Sequence, residues 1–118
     1  MPAASPVAAV WTLRFGDTTQ PLSRGSAVCV GRDPVAPSTR PDAALRTVVD
    51  PAKSVSKTHA IIWADEVDLY LQDLDSTNGV SVADADGTET LLESGATLVV
   101  TTGSTIYLGN FAVLATRD

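Results

Sequence analysis

Cysteine is nearly missing from this chain: Cys29 stands alone, inside the apolar run Val28-Cys29-Val30. One thiol builds neither a disulfide framework nor a thiolate metal cluster, and a reducing compartment is its natural setting. Histidine is as scarce, with His59 only, so a zinc site lacks its ligands. Aromatic residues make up 5% of the chain, which leaves the core to Val, Leu, Ile and Ala. No stretch sustains helical periodicity over ten residues. The apolar start, residues 1–11, is interrupted by Pro2 and Pro6 and has no basic residue ahead of it, unlike a signal or spanning segment. Also missing are a Gly-x-x-x-x-Gly-Lys loop and a Gly-x-Ser-x-Gly elbow, so nucleotide hydrolysis and serine-hydrolase chemistry have no starting point. No metal and no cofactor is expected.

Positive charge is short as well. Eight Lys and Arg face fourteen acids, a net charge of −6, which argues against a general nucleic-acid or anionic-membrane surface. The average conceals an asymmetry. Residues 24–57 hold Arg24, Arg32, Arg40, Arg46, Lys53 and Lys57 against Asp33, Asp42 and Asp50, a local balance of +3. Residues 58–118 hold Arg117 alone against ten acids. A small anionic ligand is favoured by the first of these regions, unless its cations only keep a long loop soluble.

What is present is a series of short, β-branched apolar runs separated by turn residues, the pattern of an all-β sandwich or barrel. With 118 residues the chain makes one domain, able to bury about two-thirds of its unfolded surface. Strands are expected at 7–15, 27–30, 47–49, 59–64, 67–73, 80–82, 88–91, 97–100, 105–108 and 111–115. Val67, Leu69 and Leu71 fall on one face of their strand and Asp68, Tyr70 and Gln72 on the other. Gly109-Asn110 reads as a tight hairpin connection, and Trp11 and Trp63 as core or core-edge residues. Residues 1–9 read as a flexible Pro/Ala-rich lead and 10–117 as the domain. A long loop at 33–55 carries Pro34, Pro37, Pro41 and Pro51, with one helical turn expected at 41–45 behind Pro41.

Three polar segments lie where apolar runs begin or end. Gly31-Arg32 closes the run 27–30; an Arg at a strand end offers a planar fork to a phosphate, or makes a surface ion pair with Asp33 or Asp50. Gly31 lets the backbone come close. Ser56-Lys57-Thr58-His59 supplies hydroxyls and a point charge, and His59 either braces the loop or is an ordinary structural histidine. Ser56 and His59 are too close together, at a loop-strand junction, to make a convincing nucleophile and base. Ser76-Thr77-Asn78-Gly79 reads first as an Asn-Gly hairpin with positive φ at both central positions. The same turn exposes two hydroxyls and an amide that can pair with a peptide's N–H and C=O.

Gly-Arg, then Ser-x-x-His, then Ser-Thr-Asn-Gly, in that order and each at a strand edge, resembles the forkhead-associated (FHA) domain. The resemblance runs from about Trp11 to Thr116 and includes the ending Ile106-Tyr107-Leu108-Gly109-Asn110-Phe111. It implies an eleven-stranded, mostly antiparallel β-sandwich of the FHA/SMAD-like kind, with loops at one end that bind phosphothreonine in an extended peptide. By matching position, Arg32 and Ser56 bind the phosphate, joined by Thr77. Asn78 holds the peptide backbone, and Lys57 lies over the phosphate or neighbouring peptide. Gly31 and His59 shape and brace the loops, with Gly79 completing the turn. Members often read the residue three places after the phosphothreonine, for which Lys53 and Ser54 are candidates.

The resemblance implies a cytoplasmic signalling adaptor, not an enzyme, that reads Ser/Thr-kinase phosphorylation. Its partner is a phosphothreonine protein or peptide, a kinase or kinase substrate, with no nucleic acid and no membrane insertion of its own. It is either free-standing or the cytosolic module of a larger protein. The alternative is a docking module that uses the same sandwich loops without phosphate. The segment 33–55 is longer and richer in Pro than the family usually places between its Arg and Ser. It either covers the site, widens the contact or docks a partner by itself.

Overall fold

Alternating apolar residues place one face of most strands inward, and in the computed structural model, which describes residues 9–65 and 67–117, two sheets close over those faces. The strands are β1 (Ala9–Phe15), β2 (Thr18–Ser23), β3 (Ala27–Gly31), β4 (Ala44–Thr47), β5 (Ala60–Ala64) and β6 (Leu69–Asp73), followed by β7 (Val80–Ala83), β8 (Glu89–Leu91), β9 (Thr97–Val100), β10 (Ser104–Leu108) and β11 (Phe111–Arg117). Six form a sheet in the order β2-β1-β11-β10-β7-β8, and five form the other in the order β4-β3-β5-β6-β9. Every pairing is antiparallel except β3 with β4. No helix occurs among the described residues, and so none is long and apolar enough to cross a membrane.

The core is aliphatic, as the shortage of rings requires. Leu13, Ile106, Leu108, Val113 and Ala115 come from the six-stranded sheet and Val28, Val30, Ile62, Leu69 and Leu71 from the other, all of them buried. Trp11 joins this core. Trp63 does not. It lies on the outer face of the five-stranded sheet, stacked on Tyr70 at 5.5 Å with Arg40 over its ring at 4.5 Å.

Several expected elements are corrected. Strand β2 was not among the expected strands because Thr18-Thr19-Gln20-Pro21 is polar and contains a proline, yet β2 is an edge strand, where a missing donor costs nothing. The helical turn expected at 41–45 is absent. Ala43 N–H bonds to Arg40 O, and β4 begins at Ala44, paired in parallel with β3. Of the strand expected at 47–49, only Thr47 lies in β4; the Val48 N–H bonds to Gly31 O and Val49 faces solvent. Val67 stands outside β6 in a turn, exposed, its N–H held by Asp65 Oδ1 at 2.8 Å.

The two glycine turns part ways. Gly109-Asn110 is the expected two-residue hairpin, joining Leu108 to its partner Phe111. Asn78-Gly79 is no hairpin, because β6 and β7 belong to different sheets and only Gly79, with φ 81°, is left-handed. The connection crosses from one sheet to the other at the end of the sandwich.

The long loop does two jobs. After Arg32 it crosses the outer face of the five-stranded sheet, where Cys29 Sγ donates to Val35 O at 3.6 Å and Arg40 stacks on Trp63. Cys29 and its neighbour in register, Ile61, are buried there although they point away from the core between the sheets. Burial pushes the Cys29 thiol pKa up, so it stays protonated and unreactive. From Asp50 the chain turns back toward the end of the sandwich. The lead expected at 1–9 lies almost wholly outside the described residues.

Candidate functional site

The end of β3 is where the first two polar segments meet. Arg32 N–H bonds to Ser56 O and Asp33 N–H to Lys57 O, both at 3.0 Å, so the chain beyond β3 runs beside the Ser56-Lys57 backbone. Gly31 permits this approach. Any Cβ there would collide with Lys57 O and lie 2.6 Å from Lys57 C.

His59 ties in the third segment. It is fully buried, and its Nδ1 accepts the Ser56 N–H at 3.0 Å while Nε2 lies 2.8 Å from Gly79 O. Because the Ser56 amide can only donate, Nδ1 carries no proton and Nε2–H donates to the carbonyl. Desolvation lowers the His59 pKa, against the opposing pull of the Gly79 carbonyl and the Asp73 carboxylate. Both ring nitrogens are occupied by backbone groups, so the ring offers no base to the Ser56 hydroxyl. Acyl-transfer chemistry has no working pair here.

Around this brace the remaining side chains converge. Ser56 Oγ accepts the Thr77 N–H at 2.9 Å, which leaves its own proton to give. Asn78 Nδ2 donates to Ser54 O at 2.8 Å, which leaves Oδ1 as an acceptor. Arg32 Nε donates to Val55 O at 2.6 Å rather than to Asp33 or Asp50, and its two terminal amino groups have no protein partner among the described residues. Arg32, Lys53, Ser54, Val55, Ser56, Thr77 and Asn78 line one small open pocket of about 120 Å³. A second, of about 400 Å³, adjoins it through Lys53, Ser54 and Asn78 and ends at Gly109-Asn110.

Not every expected residue is there. Lys57 is exposed but lines neither pocket. Ser76 turns its Oγ into the protein, where it finds no partner among the described residues, so of the two hydroxyls expected to be exposed only that of Thr77 is. Ser54 is buried and tied at its hydroxyl, which leaves Lys53 as the outward-facing residue of the two ahead of Val55-Ser56. The cationic segment also divides, because Arg40 lies over Trp63 and Arg46 over Phe15, with Arg46 Nη2 bonded to Thr18. Sequence reasoning missed Asp50, whose carboxylate collects four hydrogen bonds within its own loop. The signal was local: an Asp followed four residues later by a Ser is a side-chain-to-backbone turn waiting to close.

The pocket's chemistry is that of an anion cradle beside backbone-pairing groups, and the molecule has relatives with the same architecture. A model of the FHA domain matches residues 28–109. A search of curated proteins returns no match. Among solved structures, the MEK1 FHA domain in complex with a phosphothreonine peptide of HOP1 is 22% identical, covers 93% of this chain and 98% of its own, and has a TM-score of 0.68. The FHA domain of CT664 from Chlamydia trachomatis is likewise 22% identical, with 93% and 99% covered and a TM-score of 0.71. The FhaA FHA domain, solved with the intracellular domain of Rv3910, is 26% identical, with 89% and 98% covered and a TM-score of 0.61. With the three polar segments folded into one end of an eleven-stranded sandwich and the family model spanning most of it, this chain belongs to the FHA domain family.

Proposed function

We propose that the chain is a phosphothreonine-dependent peptide-binding module. The observation that carries this reading is the state of Arg32. Its guanidinium is anchored through Nε, with both terminal amino groups left without a partner among the described residues, in the same pocket as the Ser56 hydroxyl. A phosphothreonine brings about −1.5 to −2 charge and three acceptor oxygens, which match a fork, a hydroxyl and a nearby ammonium. In this reading Arg32, Ser56 and Thr77 take the phosphate, and Asn78 Oδ1 takes a backbone N–H of the peptide. Lys57 contributes charge from outside the pocket. Lys53, which lines both pockets, favours an acidic side chain in the stretch leaving the phosphothreonine. The related FHA domain solved in complex with a phosphothreonine peptide supports phosphopeptide binding as the use of this fold.

Contacts of this kind, less the cost of ordering a flexible peptide, give about −8 kcal/mol, a micromolar affinity suited to a reversible signal. The role is that of an adaptor reading a Ser/Thr kinase's mark in the cytoplasm, with no chemistry of its own. An oriented phosphothreonine peptide library, followed by titration of the selected peptide with and without its phosphate, tests it. Micromolar binding lost on dephosphorylation is expected. Equal binding of both forms would make the module a phosphate-independent docking domain.

A further inference from the structure

The two side chains proposed to grip phosphate and peptide backbone are themselves held by carbonyls of one short stretch, Ser54-Val55: Arg32 Nε by Val55 O and Asn78 Nδ2 by Ser54 O. That stretch hangs on a single carboxylate. Asp50 Oδ2 accepts the Ser54 N–H and the Ser54 hydroxyl at 2.6 Å each and the Val55 N–H at 3.1 Å, and Oδ1 accepts the Ala52 N–H at 3.2 Å. The loop so closed includes Lys53 at φ 56°, a left-handed conformation that a residue with a side chain keeps only when its surroundings hold it. Ser54 Oγ, having given its proton to Asp50, accepts the Asn110 N–H at 2.8 Å and fixes the loop to the β10–β11 hairpin. Gly109 sits tight against it, with no room for a Cβ, which would lie 2.5 Å from Ser54 O.

We propose that Asp50 is a positioning residue of the phosphopeptide site, one that touches no ligand but fixes the two carbonyls that aim Arg32 and Asn78. The inference rests on the proposed phosphothreonine binding. Without the carboxylate, three backbone N–H groups and a hydroxyl lose their common acceptor and Lys53 loses what holds it left-handed. The Ser54 and Val55 carbonyls then wander, and the fork and amide must be ordered when the peptide binds rather than before. Bonds from the Ser54 hydroxyl and the backbone hold the Asp50 carboxyl below the usual carboxylate range, against desolvation, so the device stays ionised at neutral pH.

The test uses the whole chain with Asp50→Ala, Asp50→Leu, which is close to the aspartate in shape but has no acceptor and serves should the alanine variant fail to fold, and Ile106→Val as a core-destabilised control. Two quantities are read: affinity for the library-selected phosphothreonine peptide, and the ligand-free NMR signals of Arg32 Nε–H and Asn78 Nδ2–H. Loss of the acceptor is expected to weaken binding by about tenfold, well below the unfolding midpoint, and to shift both signals before any peptide is added. Ile106→Val binds as the parent chain does. Binding by a folded Asp50 variant within about twofold of the parent, an equal loss in Ile106→Val, or unmoved signals would overturn the proposal. If the parent chain binds no phosphothreonine peptide, the functional reading falls by itself, and the ligand-free signals still decide whether Asp50 aims Arg32 and Asn78.

Discussion

Gly31 has no room for even one methyl group. Its φ is not positive, so the requirement is space rather than backbone freedom, and the neighbour in the way is the Lys57 backbone, which cannot rotate aside. Gly31→Ala is therefore expected to cost about 3 kcal/mol or more, read as a drop in thermal midpoint. A variant as stable as the parent would mean the two chain segments separate easily. Arg32 presents the opposite case. Its side chain is exposed and makes one hydrogen bond among the described residues, so Arg32→Ala should change stability by about 1 kcal/mol or less while abolishing the proposed phosphopeptide binding. Arg32→Lys keeps the charge but lacks the fork, and recovers little of the affinity. Full affinity in Arg32→Lys would reduce the site to a simple positive charge. The residue types at 31 and 32 were legible in the sequence, whereas the role of Asp50 was not. Its carboxylate had cationic partners to choose from, and only the folded loop shows that it chose backbone donors.

At the scale of elements, the segment from Asp50 to His59 is held at both ends, by a carboxylate at one and by an imidazole at the other. The imidazole gives it a pH limit. In the unfolded chain His59 titrates near about 6.5, and burial in the fold pushes it lower. The fold thus stabilises the neutral ring, and that contribution is fully present above about pH 6.5 and lost as pH falls through the folded value, by up to about 1.4 kcal/mol per pH unit. The thermal midpoint of the ligand-free chain should hold steady from pH 8 to 7 and decline below 6.5, and His59→Gln should flatten that decline. The same slope in both proteins would assign it to other groups. Of the elements themselves, those whose apolar residues alternate were read within a few residues, as β6, β10 and β11 show. The edge strands β2 and β4 were not, for a common reason. An edge strand can form with one neighbour and little apolar surface: β2 holds a proline and β4 buries none of its four residues, whereas β9, also at an edge, was read from its apolar run.

The whole molecule separates scaffold from site. The sheets bury the apolar faces and the segments that carry the polar groups run along one end, so the proposed peptide binding requires no rearrangement of the core. Binding to the folded chain alone then adds to its stability. At a hundredfold excess over Kd a phosphothreonine peptide should contribute about 2.7 kcal/mol, a rise in midpoint of about 10 °C for a domain of this size. The dephosphorylated peptide should leave the midpoint unmoved, and an equal rise with both peptides would sink phosphate dependence. What the sequence determined by itself was local: strand-forming alternation, turn residues, a cationic stretch, and the order of Gly-Arg, Ser-x-x-His and Ser-Thr-Asn-Gly. These depend on neighbours a few residues apart. Only the tertiary structure decided which polar atoms are spent and which are left to face a ligand. The bonds that spend them join Arg32 to Val55, Ser54 to Asn78, Ser56 to Thr77 and His59 to Gly79, partners twenty or more residues apart that meet only when the two sheets close.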